Sequence, residues 1–287
     1  MKVNGKDCSV LIRTKQGLFS VPYCEETLRE AVLLLQEDAA IEGDGICRAI
    51  SKRGGVTGCV VTPLTIGTVP MMLHLALGDC DKPVFVTETR NLYKHLLSLL
   101  PMEDAEYFEL IQSRGGLRRR FDGCRVNGFE LRILRGETVK LRLDIAGENG
   151  PVKCLDNETI NPATGERFSG DFVSYMINGR EYKNIYGLTL AVKKEWGTKS
   201  ELWIKRVLEH EVDLPTIIDE IVITARLIKD KYENRHFGTF RITLKKLMLT
   251  VDETNINSAC AVIGPLRYYV NGTVSAEVFT NGDEVLL

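Results

Sequence analysis

The clearest pattern in the chain is an alternation of apolar and polar residues over positions 128–145. The second half of this segment places four aliphatic residues on one side and charged residues on the other; the aliphatic ones are Val139, Leu141, Leu143 and Ile145. A period of two is typical of a strand with one buried face and one solvated face. Residues 129–134 alternate in the same way, and residues 135–137 supply a tight turn between the two runs. We therefore predict an antiparallel hairpin whose buried face carries the four aliphatic residues.

Shorter stretches with the same character predict strands along most of the chain. They fall at 9–21, where residues 15–17 form the turn of a first hairpin, and at 56–62, 107–111, 172–177, 185–193, 220–228, 240–251 and 264–279. Residues 184–195 repeat the pattern of residues 128–145, since a glycine is followed by alternating apolar positions. Residues 200–210 fit neither a helical nor a strand period, and both alternatives stay open there.

Four short segments carry helical patterns instead. Residues 25–40 repeat apolar side chains about every 3.6 residues, and Thr27 is a candidate N-cap. Residues 70–77 begin with a proline and are followed by a glycine, which suits the start and the end of a helix respectively. Residues 91–100 and 229–237 are predicted as two further short helices, stopped by a proline and a glycine.

The apolar pattern lapses over residues 148–170, which are rich in Gly, Pro, Asn and Thr, and we place a domain linker there. This gives two domains, 1–150 and 151–287. The order of strand, short helix ending in Gly, and strands recurs in both, so residues 50–147 and 168–280 are predicted to be homologous folds. The predicted fold class is mainly β, with two tandem β-sandwich or β-barrel domains, each carrying a short α-helix.

Composition and charge exclude several classes of protein. The chain has 287 residues, and its 37 basic and 39 acidic side chains give a net charge of only -2, so no global field recruits nucleic acid or anionic membrane. No apolar run approaches the about 18 residues that span a bilayer, and residues 1–7 lack the apolar stretch of a signal peptide, so we expect a protein without membrane anchoring that is kept in the cytosol or leaves it by lysis. The eight cysteines are scattered without metal-ligand spacing, which predicts buried free thiols rather than disulfides or a metal site.

The residues that usually carry catalysis are poorly placed for it in this sequence. His74 lies in an apolar helical segment, where a structural or interfacial role is expected, and His95, His210 and His236 have no carboxylate or cysteine at a suitable local spacing. The glycine pair at 54–55 lacks the spacing of a phosphate-binding loop. We therefore predict no catalytic residue, no cofactor, no cofactor-binding residue and no metal ligand, and the chain is not expected to be an enzyme.

One basic segment is a candidate contact surface. Gly115 and Gly116 form a predicted turn, and Arg118, Arg119 and Arg120 follow it. We predict that these five residues contact an adjacent subunit. A solvated loop tip and a contact to nucleic-acid phosphates are the alternatives.

Three segments resemble a known family. The strand, short helix and Leu-Gly ending of residues 55–78 are similar to a segment of tailed-bacteriophage tail tube proteins of about this length. Residues 123–131, with the charged strand that follows, resemble a second segment, and residues 184–190 take the place of the second-half hairpin of that family. Residues 1–50 and 82–105 depart from the family pattern, which leaves open a relative such as a baseplate or injection-machine tube protein.

The resemblance implies a mechanical function. Tail tube subunits form rings through side-to-side β-pairing, the rings stack, and the lumen conducts DNA during ejection. It implies a subunit made in the bacterial host cytoplasm and located in the virion tail, in rings of three or six copies, with a tape measure or sheath protein as further partners. Two other classes remain in consideration: a distal-tail, baseplate or tail-completion adaptor of similar fold, and an enzyme whose site lies between the two domains.

Overall fold

The structure is a computed structural model that describes residues 8–36, 49–81, 84–87, 92–148, 152–153, 159–162, 165–183, 185–194, 201–208, 218–227, 238–250, 266–270 and 273–281. The fold is mainly β, as the alternating pattern predicts. Its strands are β1 (Cys8–Thr14), β2 (Gly17–Val21), β3 (Glu25–Glu26), β4 (Arg29–Gln36), β5 (Ala49–Pro63), β6 (Gly78–Cys80), β7 (Val84–Thr87), β8 (Leu92–Leu99), β9 (Phe108–Arg114), β10 (Leu117–Leu134), β11 (Lys140–Gly147), β12 (Val152–Lys153), β13 (Val173–Ile177), β14 (Arg180–Glu181), β15 (Ile185–Lys193), β16 (Glu201–Leu208), β17 (Ile218–Arg226), β18 (Thr239–Thr250), β19 (Leu266–Val270) and β20 (Val274–Asn281). Helix α1 (Val69–Leu77) and two 3-10 turns, Met102–Asp104 and Gly170–Phe172, complete the described elements.

The hairpin predicted from the opening pattern is confirmed. β10 and β11 pair antiparallel from Arg132 opposite Lys140 to Cys124 opposite Gly147, with a bulge at Asn127. The four aliphatic residues predicted to be buried are all at most 1% exposed: Val139, Leu141, Leu143 and Ile145. The register therefore follows directly from the alternation, because a slip by one residue would turn the whole buried face outward.

The helix at 70–77 is also confirmed. α1 includes Pro70 in its first turn and ends at Leu77. Gly78 has a left-handed backbone, with φ 105°, and its N–H donates to the carbonyl of His74. Because only glycine adopts this conformation without strain, Gly78 ends the helix where the sequence predicts.

Two predicted helices are wrong. Residues 25–26 and 29–36 form β3 and β4, and β4 pairs with β5 from Arg29 opposite Thr57 to Gln36 opposite Ala49. Residues 37–40 of that prediction lie outside the described residues. Thr27 is not a helix cap: its Oγ1 accepts a hydrogen bond from the backbone N–H of Cys59 at 3.0 Å. Residues 92–99 form β8, which pairs with β20 on one side and with β6 and β7 on the other. In both segments long-range pairing outweighs a short helical period.

The other strand predictions hold with shifted ends. The first hairpin is β1 and β2, and Ile185–Lys193 is placed as predicted. Residues 201–208 form a strand, and the predicted last strand is two, β19 and β20. The predicted helix at 229–237 lies outside the described residues.

All ladders between the named strands are antiparallel, and they branch from β10. One arm runs from the first half of β10 through β9 and β1 to β2. A second runs from β10 through β11 and β5 to β3 and β4. A third runs from β10 through β15, β16 and β19 to β18. From β18 it continues to β17, β13 and β14 on one side and to β20, β8, β6 and β7 on the other.

Strands from both predicted domains share ladders and a core. β10 pairs with β15 over seven positions, and β8 pairs with β20 over seven positions. Side chains from Val10 to Val278 belong to a single buried cluster. The division into 1–150 and 151–287 stays a prediction, and the described residues on its two sides are packed and hydrogen-bonded together.

The predicted linker runs across this core. Asn161 exchanges backbone hydrogen bonds with Leu18 and Ser20 of β2. Phe168 donates its N–H to Leu64 at 3.0 Å and accepts from Val139 at 2.9 Å. Its ring is fully buried and meets Phe240 of β18 edge to face, with centroids 4.9 Å apart. The described residues of the segment therefore tie the two sides of the predicted boundary together.

The segments matched in the predicted duplication are paired differently. In the first half, β5 precedes α1 and pairs with β11, β3 and β4. In the second half, β17 pairs directly with the next described strand, β18, and with β13. The homology of the two halves stays a prediction, and these strand pairings give it no further support.

Candidate assembly surfaces

The predicted basic turn is a glycine turn at the end of a hairpin. β9 and β10 pair from Leu117 opposite Arg114 inward, and Gly115 and Gly116 connect them with φ values of 56° and 82°. Such left-handed values favour glycine at both positions, which explains the pair in the sequence. Leu117, next to the turn, is 48% exposed.

The three arginines lie on β10 rather than at the tip of the turn. Arg118 stands opposite Ser113, Arg119 opposite Gln112, and Arg120 opposite Ile111. Because neighbouring side chains of a strand point to opposite faces, Arg118 and Arg120 share one face and Arg119 occupies the other. Arg119 is thus on the face by which Phe121 enters the core. The structure brings two of the three predicted arginines together and separates the third.

A further arginine of this hairpin, Arg114, was not among the predicted contacts. It is ion-paired with Glu26, whose side chain is nearly buried, and Gln112 Nε2 donates to the other oxygen of that carboxylate at 2.9 Å. The hairpin is therefore fixed to β3, while Arg120 Nε lies 3.1 Å from Asp122 Oδ1 on the opposite face. The sequence gives no local signal for the pair with Glu26, because 88 residues separate the partners.

Replacing Arg118, Arg119 and Arg120 together by Ala is expected to shift assembly to a higher protein concentration and leave the subunit folded. The subunit should keep its fold because the pair of Arg120 with Asp122 is partly exposed, and such pairs contribute about 0–1 kcal/mol. Sedimentation velocity over a concentration series measures the shift. Arg132→Ala is the control, since Arg132 is exposed and lies on the sheet away from the hairpin. Tight, salt-sensitive DNA binding by the subunit, abolished by the triple substitution, would contradict the assignment.

The solvated face of β10 and β11 carries mixed charges over two adjoining clefts. Glu130 stands opposite Arg142, and Arg132 stands opposite Lys140. One cleft, of about 550 Å³, lies over Gly128 between Asp144 and Lys193; the other, of about 280 Å³, reaches Cys24 and Glu25. Arg142 Nε donates to Asp144 Oδ1 at 2.9 Å, and this bond raises the pKa of the guanidinium. The two signs largely offset each other, so this face presents no strong field of either sign.

The third surface is the open edge at β7. Val84, Phe85 and Val86 are 52%, 41% and 39% exposed, and β7 pairs with β8 alone among the described strands. Phe85 packs edge to face on Tyr93 of β8, with centroids 5.2 Å apart. An uncharged, apolar edge strand is a ready template for pairing with another chain. This surface was not predicted from the sequence, whose signal for it is the uncharged run Val-Phe-Val-Thr at 84–87.

Three titratable groups near α1 and β8 have pKa values lowered by burial. Lys194 is buried, and its Nζ donates to the carbonyl of Leu77 at 3.0 Å, at the end of α1, while burial lowers its pKa to about 8. His74 Nε2 lies 3.6 Å from Glu106 Oε2, and the pKa of His74 is lowered by burial, which Glu106 partly offsets. His95, on β8, is fully buried, and burial lowers its pKa to about 4. Each group belongs to the packing of α1 or β8.

His95 is expected to make the fold labile in acid. Its pKa falls from an ordinary 6.5 to about 4, so between these values the unfolded chain binds a proton that the folded chain does not. Stability contributed by neutral His95 is therefore present above pH 6.5 and lost as the pH falls toward 4, by up to about 3 kcal/mol. Urea unfolding of the protein and of His95→Gln at pH 7 and pH 4.5 measures this, and the variant should lose less stability. His74→Gln is the comparison, with a smaller effect expected; identical losses in wild type and His95→Gln would exclude the mechanism.

Within the described ranges, no group of three or more His, Cys, Asp or Glu side chains is arranged to hold a metal ion. No described helix is long and apolar enough to cross a membrane. No known protein-family model matches the sequence, and no curated protein is significantly similar to it. The assignment of function therefore rests on the residues themselves and on the surfaces described above.

Proposed function

We propose that the chain is a structural subunit of a tail tube, from a tailed bacteriophage or a prophage-derived particle. Copies of it form rings, the rings stack, and the lumen conducts DNA. The subunit acts by assembling and has no catalytic role. Its partners are other copies of itself, the tape measure or sheath proteins, and DNA in transit. It is made in the bacterial cytoplasm and functions in the virion tail.

The observation that carries the proposal is the local fold of the segments that resemble tail tube proteins. Residues 55–78 form the end of β5 followed by α1, and the left-handed Gly78 ends that helix. Residues 123–131 lie on β10, which pairs with the charged strand β11. Residues 185–190 of the third segment lie in β15, which pairs with the same part of β10. These elements follow one another in the order that the resemblance implies, and this order supports the proposal.

The surfaces are compatible with a mechanical role. A ring subunit needs open strand edges, because side-to-side β-pairing joins one sheet to the next. β7 offers such an edge, apolar and exposed. A lumen that conducts DNA needs a surface without strong attraction for phosphates, since each neutralised phosphate would slow its passage. The mixed-charge face of β10 and β11 has that property, as Arg142 is paired with Asp144 and Lys140 with Glu137.

Electron microscopy of the purified protein, combined with sedimentation velocity, tests the proposal. We expect rings or stacked tubes that grow with protein concentration. Small discrete oligomers that never stack would favour the adaptor alternative, a distal-tail, baseplate or tail-completion component. A chain that stays monomeric at high concentration and in crowded solution would contradict the proposal.

A further inference from the structure

The larger cleft on the solvated face of β10 and β11 lies over a strand position without a side chain. Gly128 of β10 stands opposite Asp144 of β11 and opposite Lys193 of β15. Because cross-strand partners share a face, a carboxylate and an ammonium group flank the glycine. Their Cα atoms are two strand spacings apart, which is about 10 Å. This Gly128 cleft, of about 550 Å³, therefore has two walls of opposite charge.

The carboxylate of Asp144 is oriented by its ion pair, and one of its oxygens faces the floor of the cleft. Arg142 Nε donates to Asp144 Oδ1 at 2.9 Å. A Cβ atom placed on Gly128 would lie 3.5 Å from the other oxygen, Oδ2. Since each carboxylate oxygen accepts more than one hydrogen bond, Oδ2 is an acceptor for a donor that enters the cleft.

Asn127 brings a second acceptor to the Gly128 cleft. It is the extra residue of the bulge in the β10–β11 ladder, and its backbone carbonyl accepts from the N–H of Lys194 at 2.7 Å. Its side-chain oxygen Oδ1 is shielded from solvent and has no hydrogen-bond partner among the described residues. Buried acceptors are nearly always satisfied, and bulges often direct a side chain toward a functional site. An unsatisfied acceptor in the lining of a cleft points to a ligand that carries an N–H or O–H donor.

The charges that line the cleft balance one another. Two carboxylates and two cationic side chains contribute, namely Glu130, Asp144, Arg142 and Lys193. Lys194 does not add to them, because its Nζ donates to the carbonyl of Leu77 at the end of α1. A lining without net charge gives no advantage to a polyanion or a polycation, and its separated charges complement a ligand that carries both signs.

We propose that the Gly128 cleft binds a short zwitterionic peptide. Its terminal ammonium group donates to Asp144 Oδ2 and Asn127 Oδ1, and its terminal carboxylate lies at Lys193. An extended peptide of about three residues spans about 10 Å, which matches the separation of the two charged walls. A free amino acid carries the same charges but is too short to reach both walls. The site lies within one chain, so this inference goes beyond the proposed function and does not depend on it.

Isothermal titration calorimetry of the full chain with triglycine tests the proposal. The comparison ligands are N-acetyl-triglycine, which lacks the ammonium group, triglycine amide, which lacks the carboxylate, and free glycine, which is too short. Triglycine is expected to bind at least about tenfold more tightly than each of them, because each loses a hydrogen bond to a charged group. Equal affinity for triglycine and any one of the three would overturn the proposal. So would the absence of triglycine binding at millimolar concentrations.

Two variants separate a role in binding from a role in folding. Asn127→Leu removes the acceptor and should weaken triglycine binding about tenfold, while its urea midpoint without ligand does not fall, because the folded chain loses no hydrogen bond of that oxygen. Ala191→Leu places a larger side chain in the cleft, opposite Glu130, and should also weaken binding. Thr189→Leu is the matched control, since Thr189 lies on the same face of β15 outside the cleft and should leave binding unchanged. Wild-type affinity in Asn127→Leu or in Ala191→Leu would overturn the proposal, whether or not the chain forms rings.

Discussion

The Leu141→Lys variant is expected to be insoluble or unfolded under conditions in which the wild-type chain is folded. Leu141 is fully buried, and its cross-strand neighbours are Leu131 on β10 and Thr62 on β5, both also fully buried. A lysine there places a charge among apolar side chains with no counter-ion, which costs at least about 4 kcal/mol. Because small domains are stable by only about 5–15 kcal/mol in total, the loss is a large part of what holds this fold together. Soluble yield and urea unfolding measure it.

Two further variants keep this prediction decisive. Leu141→Met conserves the volume closely and should cost less than about 1.5 kcal/mol. Arg142→Lys alters the next residue on the same strand, whose side chain points to the solvated face and is partly exposed, so it should change stability by less than about 1 kcal/mol. If Leu141→Lys unfolds at the wild-type urea concentration while Arg142→Lys is strongly destabilised, the two faces of β11 have been assigned the wrong way round.

The success of the hairpin prediction has a specific cause. In β11 the apolar and charged residues alternate without interruption, and its two faces meet the core and the solvent respectively. Local sequence and tertiary environment therefore agree at every position, so pattern alone determines strand, face and register. The same agreement explains α1, where a proline starts the helix and Gly78 ends it.

In the two segments that were wrongly predicted as helices, local sequence and tertiary environment disagree. β4 carries a continuous apolar run, and such a run satisfies a helical period and a strand equally well. β8 is central, with β20 on one side and β6 and β7 on the other, so one of its two edges is determined by a strand from the far end of the chain. The local sequence of β4 and β8 does not report on the long-range partners β5 and β20. The energy of strand pairing decides between helix and strand in these two segments, and the periodicity of the sequence carries no information about that energy.

The candidate surfaces also differ in how far the sequence alone predicts them. The glycine turn at Gly115 and Gly116 was predictable, because its backbone conformation demands glycine. The separation of Arg119 from Arg118 and Arg120 follows from strand geometry once β10 is known to continue through them. The run Val-Phe-Val-Thr indicates a strand at β7, but the sequence alone does not show that this strand lies at an edge, because an edge is defined by the neighbours of the strand in the sheet. That property belongs to the topology of the whole chain.

The predicted linker stays a prediction, but two of its described residues are held by the core. Residues 159–170 contain the Gly, Pro and Asn typical of an exposed connection, yet Asn161 is hydrogen-bonded to β2, and Phe168 is hydrogen-bonded to Leu64 and Val139, which adjoin β5 and β11. The lone aromatic residue in this polar stretch was the available signal. A large apolar side chain surrounded by turn residues indicates an anchoring point, because an exposed linker gains nothing from it.

Phe168→Ala is accordingly expected to destabilise the protein by about 3–5 kcal/mol, the range for emptying a buried aromatic site. The ring is fully buried against Phe240, so its removal leaves a cavity where the segment crosses from the Leu64 and Val139 side of the core to β18. Phe172→Ala is the matched control, since Phe172 is four residues further along, lies at the end of the Gly170–Phe172 turn and is 39% exposed. It should change stability by about 0.5 kcal/mol or less.

The form of the unfolding transition carries more information than its midpoint. If the predicted domains 1–150 and 151–287 were stable alone, Phe168→Ala would uncouple them, and urea unfolding followed by fluorescence and by circular dichroism would separate into two steps. The shared ladders of β10 with β15 and β8 with β20, together with the main core cluster, which draws on both sides of the boundary, predict a single transition instead. Neither side can keep its buried face covered once the other unfolds, so the variant should unfold in one transition at lower urea, with both probes coincident. Two resolved transitions would show that the boundary separates independently folding domains. Phe168 would then stabilise the contact between two domains rather than the interior of one core.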